Sequence, residues 1–494
     1  MHAVKWLPLE FSKVPPIHLP PKPLQWLMGI STLILMGCST VRHLLLRSGS
    51  LDLGYFDQAA YLISQGEAPI VSFWGYHFMG GHADWIMYFV AILYKLYPTV
   101  YWLLGLQAIA LSISPWPVWA LARQAGLNVA QASTIAGTTL LYPLLFNLNL
   151  SDFHPEVLAF PAILTALWAA RANRIGWFCS ATFLALGCRD ALALTIAAMG
   201  LWLIVWEKRR ACGAIALVTG TAWFLLATKV VIPAFRPHGV ESVVRYGYLG
   251  QSLNEIVFNI FFKPWLWLEH IVSLETLNYL FVLLIPLAWG LVGLRSWKPL
   301  VPLVAAIPQL AMNLLSENDL MRNIIHQYSL PILPFLLLTV IAILAEGKGS
   351  IPSRRWIWVW AIVSFLAMAK YGQFTGKYLD GLETWQARRE AIAQIPAHQG
   401  TVLTTHELIP HLTHRPGIYQ ITPNQPPQSF AAMDYVLINQ HYPAFRKNPA
   451  LATRWLNQLK ADRQLQLQLQ FEKDGVFLFV QRSHAKTLTS QAKR

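Results

Sequence analysis

Apolar stretches close to the roughly 20 residues that a helix needs to cross a bilayer recur along the chain at about 24–46, 100–121, 130–150, 155–170, 175–188, 191–206, 211–232, 276–294, 299–315, 327–345 and 356–369. The pattern predicts about eleven membrane-spanning helices, with 175–188 and 191–206 forming either two spans or one broken helix. Residues 47–99 make a long first loop of mixed character. Within it, 51–61 predicts a surface helix with Asp52 at its start, and 85–96 an amphipathic helix lying against the membrane. Beyond Lys370 aliphatic density falls and the turn formers Pro423, Asn424, Pro426 and Pro427 appear, so a transmembrane domain over 1–375 gives way to a small domain over 376–494. There, 384–395 and 449–460 have helical periodicity, while 400–404, 435–439, 464–471 and 475–481 read as strands, an α/β module. The fold class expected is a mainly α, polytopic helical membrane protein with an α/β C-terminal domain.

Composition sharpens this picture. Hydrophobic residues make up 55% and charged ones 13% of the 494 positions, a balance that soluble domains do not show. The 21 Trp and 17 Tyr suit interfacial belts. A net charge of +14 raises nucleic acid as a partner, but the basic residues fall in short loops between spans instead of on one face, which excludes it. If spans alternate, Lys5, Lys13, Lys22, Arg123, Arg171, Arg174, Lys208, Arg209, Arg210, Arg295, Lys298, Lys348, Arg354 and Arg355 lie on one side. By the positive-inside rule that side is cytoplasmic, which puts the N-terminus inside and the C-terminal domain outside the cytoplasmic membrane. The first span lacks a small-residue cleavage site and is expected to stay as an anchor. Cys38, Cys179, Cys188 and Cys212 lie in or beside apolar runs without metal-ligand spacing, so core packing is expected and disulfides are not.

The same alternation gathers unusual polar residues on the outer face. Asp152-Phe153-His154-Pro155-Glu156 sits between two spans. It reads either as a polar turn or as a short extended loop in which Asp152 and His154 face one cation while Phe153 faces the bilayer. Asp52 is either a helix N-cap or a functional carboxylate, whereas Asp57 lies among apolar neighbours where an unpaired carboxylate is costly and needs a partner or an ion. His77, His82 and Asp84 share a glycine-loosened loop. Arg189 and Asp190 either pair with each other or present to a ligand phosphate. Arg236, His238, Arg245 and Lys263 lie among aromatics in a loop suited to a lipid headgroup, and Asp319, Arg322, His326 and Tyr328 stand at the mouth of a span. In the C-terminal domain, His411 and His414 are expected to cap a helix in preference to forming a metal site with His406.

The motifs LDLGYFDQ (51–58), GGHAD (80–84), LYKLYP (93–98), LQA (106–108), SDFHPE (151–156) and HQYSLPILPF (326–335) resemble a large bacterial family of predicted membrane proteins, domain of unknown function 2079. That family looks distantly related to GT-C glycosyltransferases, which take a sugar from a polyprenyl-phosphate donor at an extracytoplasmic site. The resemblance implies a first-loop carboxylate as catalytic base, Asp57 or Asp52. It implies a divalent cation, Mg²⁺ or Mn²⁺, on Asp152 and His154, with His82 or Glu156 as a further ligand; the outer-face residues His82, Arg189, Asp190, Arg245, Arg322, His326 and Tyr328 are the candidates for binding the donor. The alternatives are a lipid or sugar transporter, which the scarcity of ionisable groups inside the apolar runs disfavours, and a silent membrane scaffold.

Overall fold

The computed structural model describes residues 19–236, 241–346, 353–422, 430–441, 449–461 and 465–483; Lys5, Lys13, His238, Lys348, the four turn formers at 423–427 and Gln464 lie outside them. The chain forms two compact units that interleave in sequence, one from Met1–Gly37, Met79–Ile86 and Gly105–Lys370, the other from Cys38–Phe78, Met87–Leu104 and Tyr371–Arg494. Most of the first loop therefore groups with the C-terminal segment, a division that boundaries drawn along the sequence do not give.

All eleven apolar windows are helical, but seven of the described helices, not eleven, are long and apolar enough to cross a membrane: Lys22–Leu44, Tyr101–Gln124, Val129–Asn149, Arg210–Phe235, Leu274–Leu291, Lys298–Leu315 and Gln327–Glu346. The other four windows give Glu156–Arg171, Ile175–Leu186, Leu192–Val205 and Arg354–Met368, of 16, 12, 14 and 15 residues. At about 1.5 Å per residue they fall short of the roughly 30 Å of hydrocarbon. Local chemistry sets several breaks. Asn128 and Gln131 close a reciprocal capping box at the start of Val129–Asn149, and Pro143 interrupts that helix. Residues 187–191 separate two distinct helices where one broken helix was an alternative.

Leu192–Val205 packs against Arg210–Phe235 with the backbones in contact. A Cβ on Gly200 would lie 2.4 Å from the Leu217 nitrogen, and one on Gly220 2.6 Å from the Ala193 oxygen. Small residues permit this approach, which in lipid replaces the missing hydrophobic drive with dispersion. Arg171 is buried and donates to both Glu207 carboxylate oxygens at 3.1 and 2.7 Å.

In the second unit, β1 (Ile70–Val71) and β2 (Tyr76–His77) form a hairpin. Five further strands, β3 (Val402–Thr404), β4 (Ile418–Gln420), β5 (Tyr435–Asn439), β6 (Leu467–Lys473) and β7 (Val476–Gln481), form a sheet in the order β4-β3-β5-β7-β6. β3 is parallel to β4 and β5, and the remaining pairs are antiparallel. Asp474 and Gly475, both at positive φ, make the tight turn that joins β6 to β7. Strand β4 was not anticipated, since three residues are too few to show alternation. The first-loop segment binds beside it: Ser72 Oγ donates to the Ile418 oxygen at 2.6 Å and accepts from the Ile418 nitrogen at 2.9 Å, and Ser50 donates to Gln420 at 2.6 Å. This covers an otherwise open sheet edge. Asp52 is not an N-cap, one of its two readings. The helix that follows is Tyr55–Gln65 with Gly54 at its cap, and Asp52 lies half-buried in the preceding turn, Ser50–Gly54.

Arg415 is fully buried and donates to five backbone oxygens, those of Leu412, Gln399, Gly400, Pro396 and Ala397, at 2.7 to 3.3 Å. Burial lowers its pKa to about 10, still charged at neutral pH. It fastens the 396–400 and 412–415 segments together.

Two outcomes follow. Gly200→Val should lower stability by about 1–3 kcal/mol through forced separation of the helices, whereas Gly29→Ala, with nothing within 4 Å of the added carbon, should not, as thermal unfolding of detergent-solubilised protein will show. Arg415→Met leaves several buried acceptors unsatisfied at about 1–3 kcal/mol each, and the expected result is loss of cooperative unfolding of the second unit.

Candidate functional site

Three short segments of the first unit converge. The first is the turn Met79–His82 with the residues after it, where Gly80 packs closely, a Cβ there coming within 3.1 Å of the Phe235 oxygen. The second is the start of Glu156–Arg171, and the third the turn 187–191. Two backbone bonds hold the turns together, Asp190 N to His82 O at 3.0 Å and Ile86 N to Gly187 O at 3.0 Å.

Arg189 is the hub. One Nη pairs with the buried Glu156 carboxylate, and the other donates to His82 Nε2 at 2.9 Å. That bond makes Nε2 an acceptor and leaves the ring proton on Nδ1, which faces Asp190 Oδ1 at 3.3 Å, outside hydrogen-bond geometry. Burial drives the Arg189 pKa down, but Glu156, Tyr328, Asp190 and Asp84 together outweigh it and the net direction is up. Burial pushes His82 down, and Arg189 adds to this against the opposing pull of Asp190 and Glu156. Asp190 goes below its usual range despite burial, because of His82 and Arg189. Asp84, buried with Oδ1 unpartnered, goes well above it through burial, reinforced by Glu156.

The guanidinium carbons of Arg189 and Arg245 lie 5.8 and 5.4 Å from the centroid of the Tyr328 ring, within cation–π reach. Arg189, Arg245, Tyr328, His82, Asp190 and Glu156 all line one cavity of about 450 Å³ whose remaining wall is mostly apolar, including Phe224, Leu253, Ile256, Ile260, Phe261 and Leu315. Among the described residues no carboxylate pairs with Arg245, which contacts the Met321 sulfur at 3.8 Å. Arg322 and His326 are not brought in; they are engaged locally with Asp319 and Asn323.

The 152–156 loop does not take the extended geometry of the cation reading. Asp152 has φ 69° and so breaks the extended geometry that would align it with His154. Phe153 is fully buried in the protein instead of facing the bilayer. Gln107 clasps the segment, donating to the Asp152 oxygen at 2.9 Å and accepting from the His154 nitrogen at 3.2 Å. Glu156 is committed to Arg189, and among the described residues no three His, Cys, Asp or Glu side chains converge as metal ligands. The donor set does not fit the Mg²⁺ or Mn²⁺ expected of Asp152, His154 and Glu156; the segment is a polar turn.

Asp57 has found protein partners, all in the second unit. Tyr94 donates to Oδ1 at 2.6 Å, Thr413 donates to Oδ2, and His414 Nε2 lies 3.2 Å from Oδ2. Burial opposes ionisation, but His414, Thr413 and Tyr94 together hold the carboxyl below its ordinary value. A carboxylate so engaged is a weak proton acceptor and a strong orienting group, which disfavours the role of base expected of it. The capping role expected of His411 and His414 is not observed: His414 serves Asp57, and His411 stacks on His43 with centroids 4.1 Å apart. Thr413 carried no sequence signal, since it becomes a partner only when segments 356 residues apart in order are brought together; Tyr94, 37 residues from Asp57, lies in the LYKLYP motif.

No curated protein matches the sequence. Among solved structures, ArnT from Cupriavidus metallidurans bound to undecaprenyl phosphate is similar over 93% of this chain and 98% of its own, at 13% identity and a TM-score of 0.52. Its apo state is similar over 91% and 97%, at 11% identity and a TM-score of 0.48. The first of these likenesses shows the GT-C-like fold. The family model described as predicted membrane protein (DUF2079) matches residues 42–478, and the chain belongs to that family.

Proposed function

We propose that the protein is a membrane glycosyltransferase that binds a polyprenyl-phosphate-linked sugar in the cavity of its first unit and transfers the sugar to an acceptor at the extracytoplasmic face. One observation carries this reading: an apolar cavity in which two guanidinium groups gather at a single tyrosine ring. An isoprenoid chain needs the apolar wall, and a phosphate needs fixed positive charge in a low dielectric. The likeness to a protein solved with undecaprenyl phosphate supports the same ligand class.

The two arginines have different capacities. Glu156 already neutralises Arg189, so the charge available to a phosphate comes from Arg245, with Arg189 supplying directed N–H groups. As the sugar–phosphate bond breaks, negative charge grows on the leaving phosphate. Donors fixed before the reaction stabilise that charge without reorganising. His82 holds Arg189 in place by occupying its other Nη, and Asp190 faces the far nitrogen of His82, a positioning role.

Arg245→Gln should weaken undecaprenyl-phosphate binding at least tenfold, the equivalent of one charge-assisted hydrogen bond of about 1.5–3 kcal/mol, while Arg322→Gln leaves it unchanged. Titration in lipid nanodiscs measures this, and a chelator should not alter the affinity; equal binding by Arg245→Gln and the parent removes the basis for the reading. The orientation is tested separately. A reporter active only outside the cytoplasm should be active when fused after residue 483 and silent when fused after Arg210, and the reverse pattern would place the cavity on the cytoplasmic side.

A further inference from the structure

A cavity of about 610 Å³ in the second unit is lined by Asp57, His414 and Arg415, whose charges are met within the protein. The cavity of the first unit is different, because two neutral amides in its wall are left open. Gln309 and Gln327 both line it, at 5% and 7% exposure.

A hydrogen-bonded chain anchored on backbone oxygens, which can only accept, forces the orientation of Gln309. Ser329 Oγ donates to the Asn323 oxygen at 2.7 Å, so the Tyr279 hydroxyl, 2.9 Å away, donates to Ser329 and accepts from Asn313 Nδ2 at 2.8 Å. Asn313 Nδ2 also donates to the Tyr328 oxygen at 3.0 Å, which turns Asn313 Oδ1 toward Gln309. Gln309 therefore offers Nε2, at 2.9 Å, and its Oε1 is left over. Among the described residues that oxygen has no partner, and neither has the amide of Gln327; all three atoms keep accessible surface. Gln309 through Asn313, and Gln327 through the chain itself, are tied to Tyr328, the ring at which Arg189 and Arg245 gather.

We propose that Gln309 and Gln327 are specificity-determining residues that make this cavity select the sugar-loaded carrier lipid over the same lipid after the sugar has left. The inference rests on the donor-lipid reading above and adds a direction to it. The phosphate of a bare polyprenyl phosphate supplies acceptor oxygens, which Gln309 Oε1, an acceptor itself, cannot bind. A sugar hydroxyl both donates and accepts, so it can donate to Oε1 of either glutamine and accept from Gln327 Nε2. Buried acceptors left unpaired are costly, and sites that hydrogen-bond a hydroxyl reject ligands lacking it. The bare monoester has the larger negative charge, which favours it at Arg245, and the amides have to outweigh that preference. Once the sugar has left, they lose their partners and the spent lipid is held less tightly than the donor.

The test titrates the full chain in phosphatidylcholine nanodiscs with undecaprenyl phosphate, bare or carrying glucose, mannose, galactose or N-acetylglucosamine. The parent should bind at least one loaded lipid about tenfold more tightly than the bare one. Gln327→Met and Gln309→Met should each lower that ratio about tenfold, through lost affinity for the loaded lipid, and Arg322→Gln should leave it unchanged. Residues with a purely structural role would weaken both lipids together and keep the ratio. That outcome, or a parent that prefers no loaded lipid to the bare one, overturns the assignment and leaves the donor-lipid reading in place. A parent that binds no polyprenyl phosphate at all removes both. Competition by phosphatidylglycerol equal to that of the loaded lipid would assign the amides to a phospholipid headgroup and overturn the proposal as well.

Discussion

A guanidinium removed from water has to be met by compensating groups, and in the first unit that requirement organises everything around Arg189. Its pairing with Glu156 ties the start of the Glu156–Arg171 helix to the turn at 187–191. Its bond to His82 adds the segment from 79 to 86. Losing one partner would leave a buried charge uncompensated, which is far more costly than never having buried the pair. The cluster therefore behaves as a single polar unit inserted among apolar helices, and the cavity beside it inherits a rigid polar wall.

The second unit meets the same requirement in two other ways. Asp57 is satisfied by an imidazole, a hydroxyl and a phenol, and Arg415 by backbone carbonyls alone. Carbonyl dipoles hold the arginine without a counter-ion, which explains why the charge is buried yet its pKa is lowered. Thr413 and His414 reach Asp57 from 356 and 357 positions away and so fix long-range arrangement, whereas the partners of Arg415 lie within 19 residues of it and fix local shape. The contrast between the two cavities follows. One keeps an arginine charge unspent against an apolar wall, as an anionic lipid would require. The other has spent its charges internally.

The membrane helices illustrate a different balance. With lipid as apolar as any side chain, close backbone approach at Gly200 and Gly220 does the work that hydrophobic burial does in water. Four apolar windows stop short of a full crossing, and two of the shortened helices bracket the turn that carries Arg189 and Asp190. Shortening here leaves room for backbone and charge to turn within the protein, where neighbouring groups can satisfy them.

Much of this was legible in residue order. Apolar length announced a polytopic helical protein, short continuous apolar runs announced strands such as Tyr435–Asn439 and Val476–Gln481, and the cost of an unpaired carboxylate announced that Asp57 must have partners. These are one-dimensional consequences of hydrophobicity and desolvation. Which partners Asp57 takes, whether Glu156 faces a cation or Arg189, and the meeting of Arg189 and Arg245 at Tyr328 were decided by tertiary structure alone. The sequence Asp-Phe-His-Pro-Glu is compatible with an ion loop and with a polar turn. A left-handed residue at Asp152 and a clasp from Gln107, 45 positions upstream of it, select the turn, because backbone direction and long-range hydrogen bonding are set by packing that no local pattern encodes.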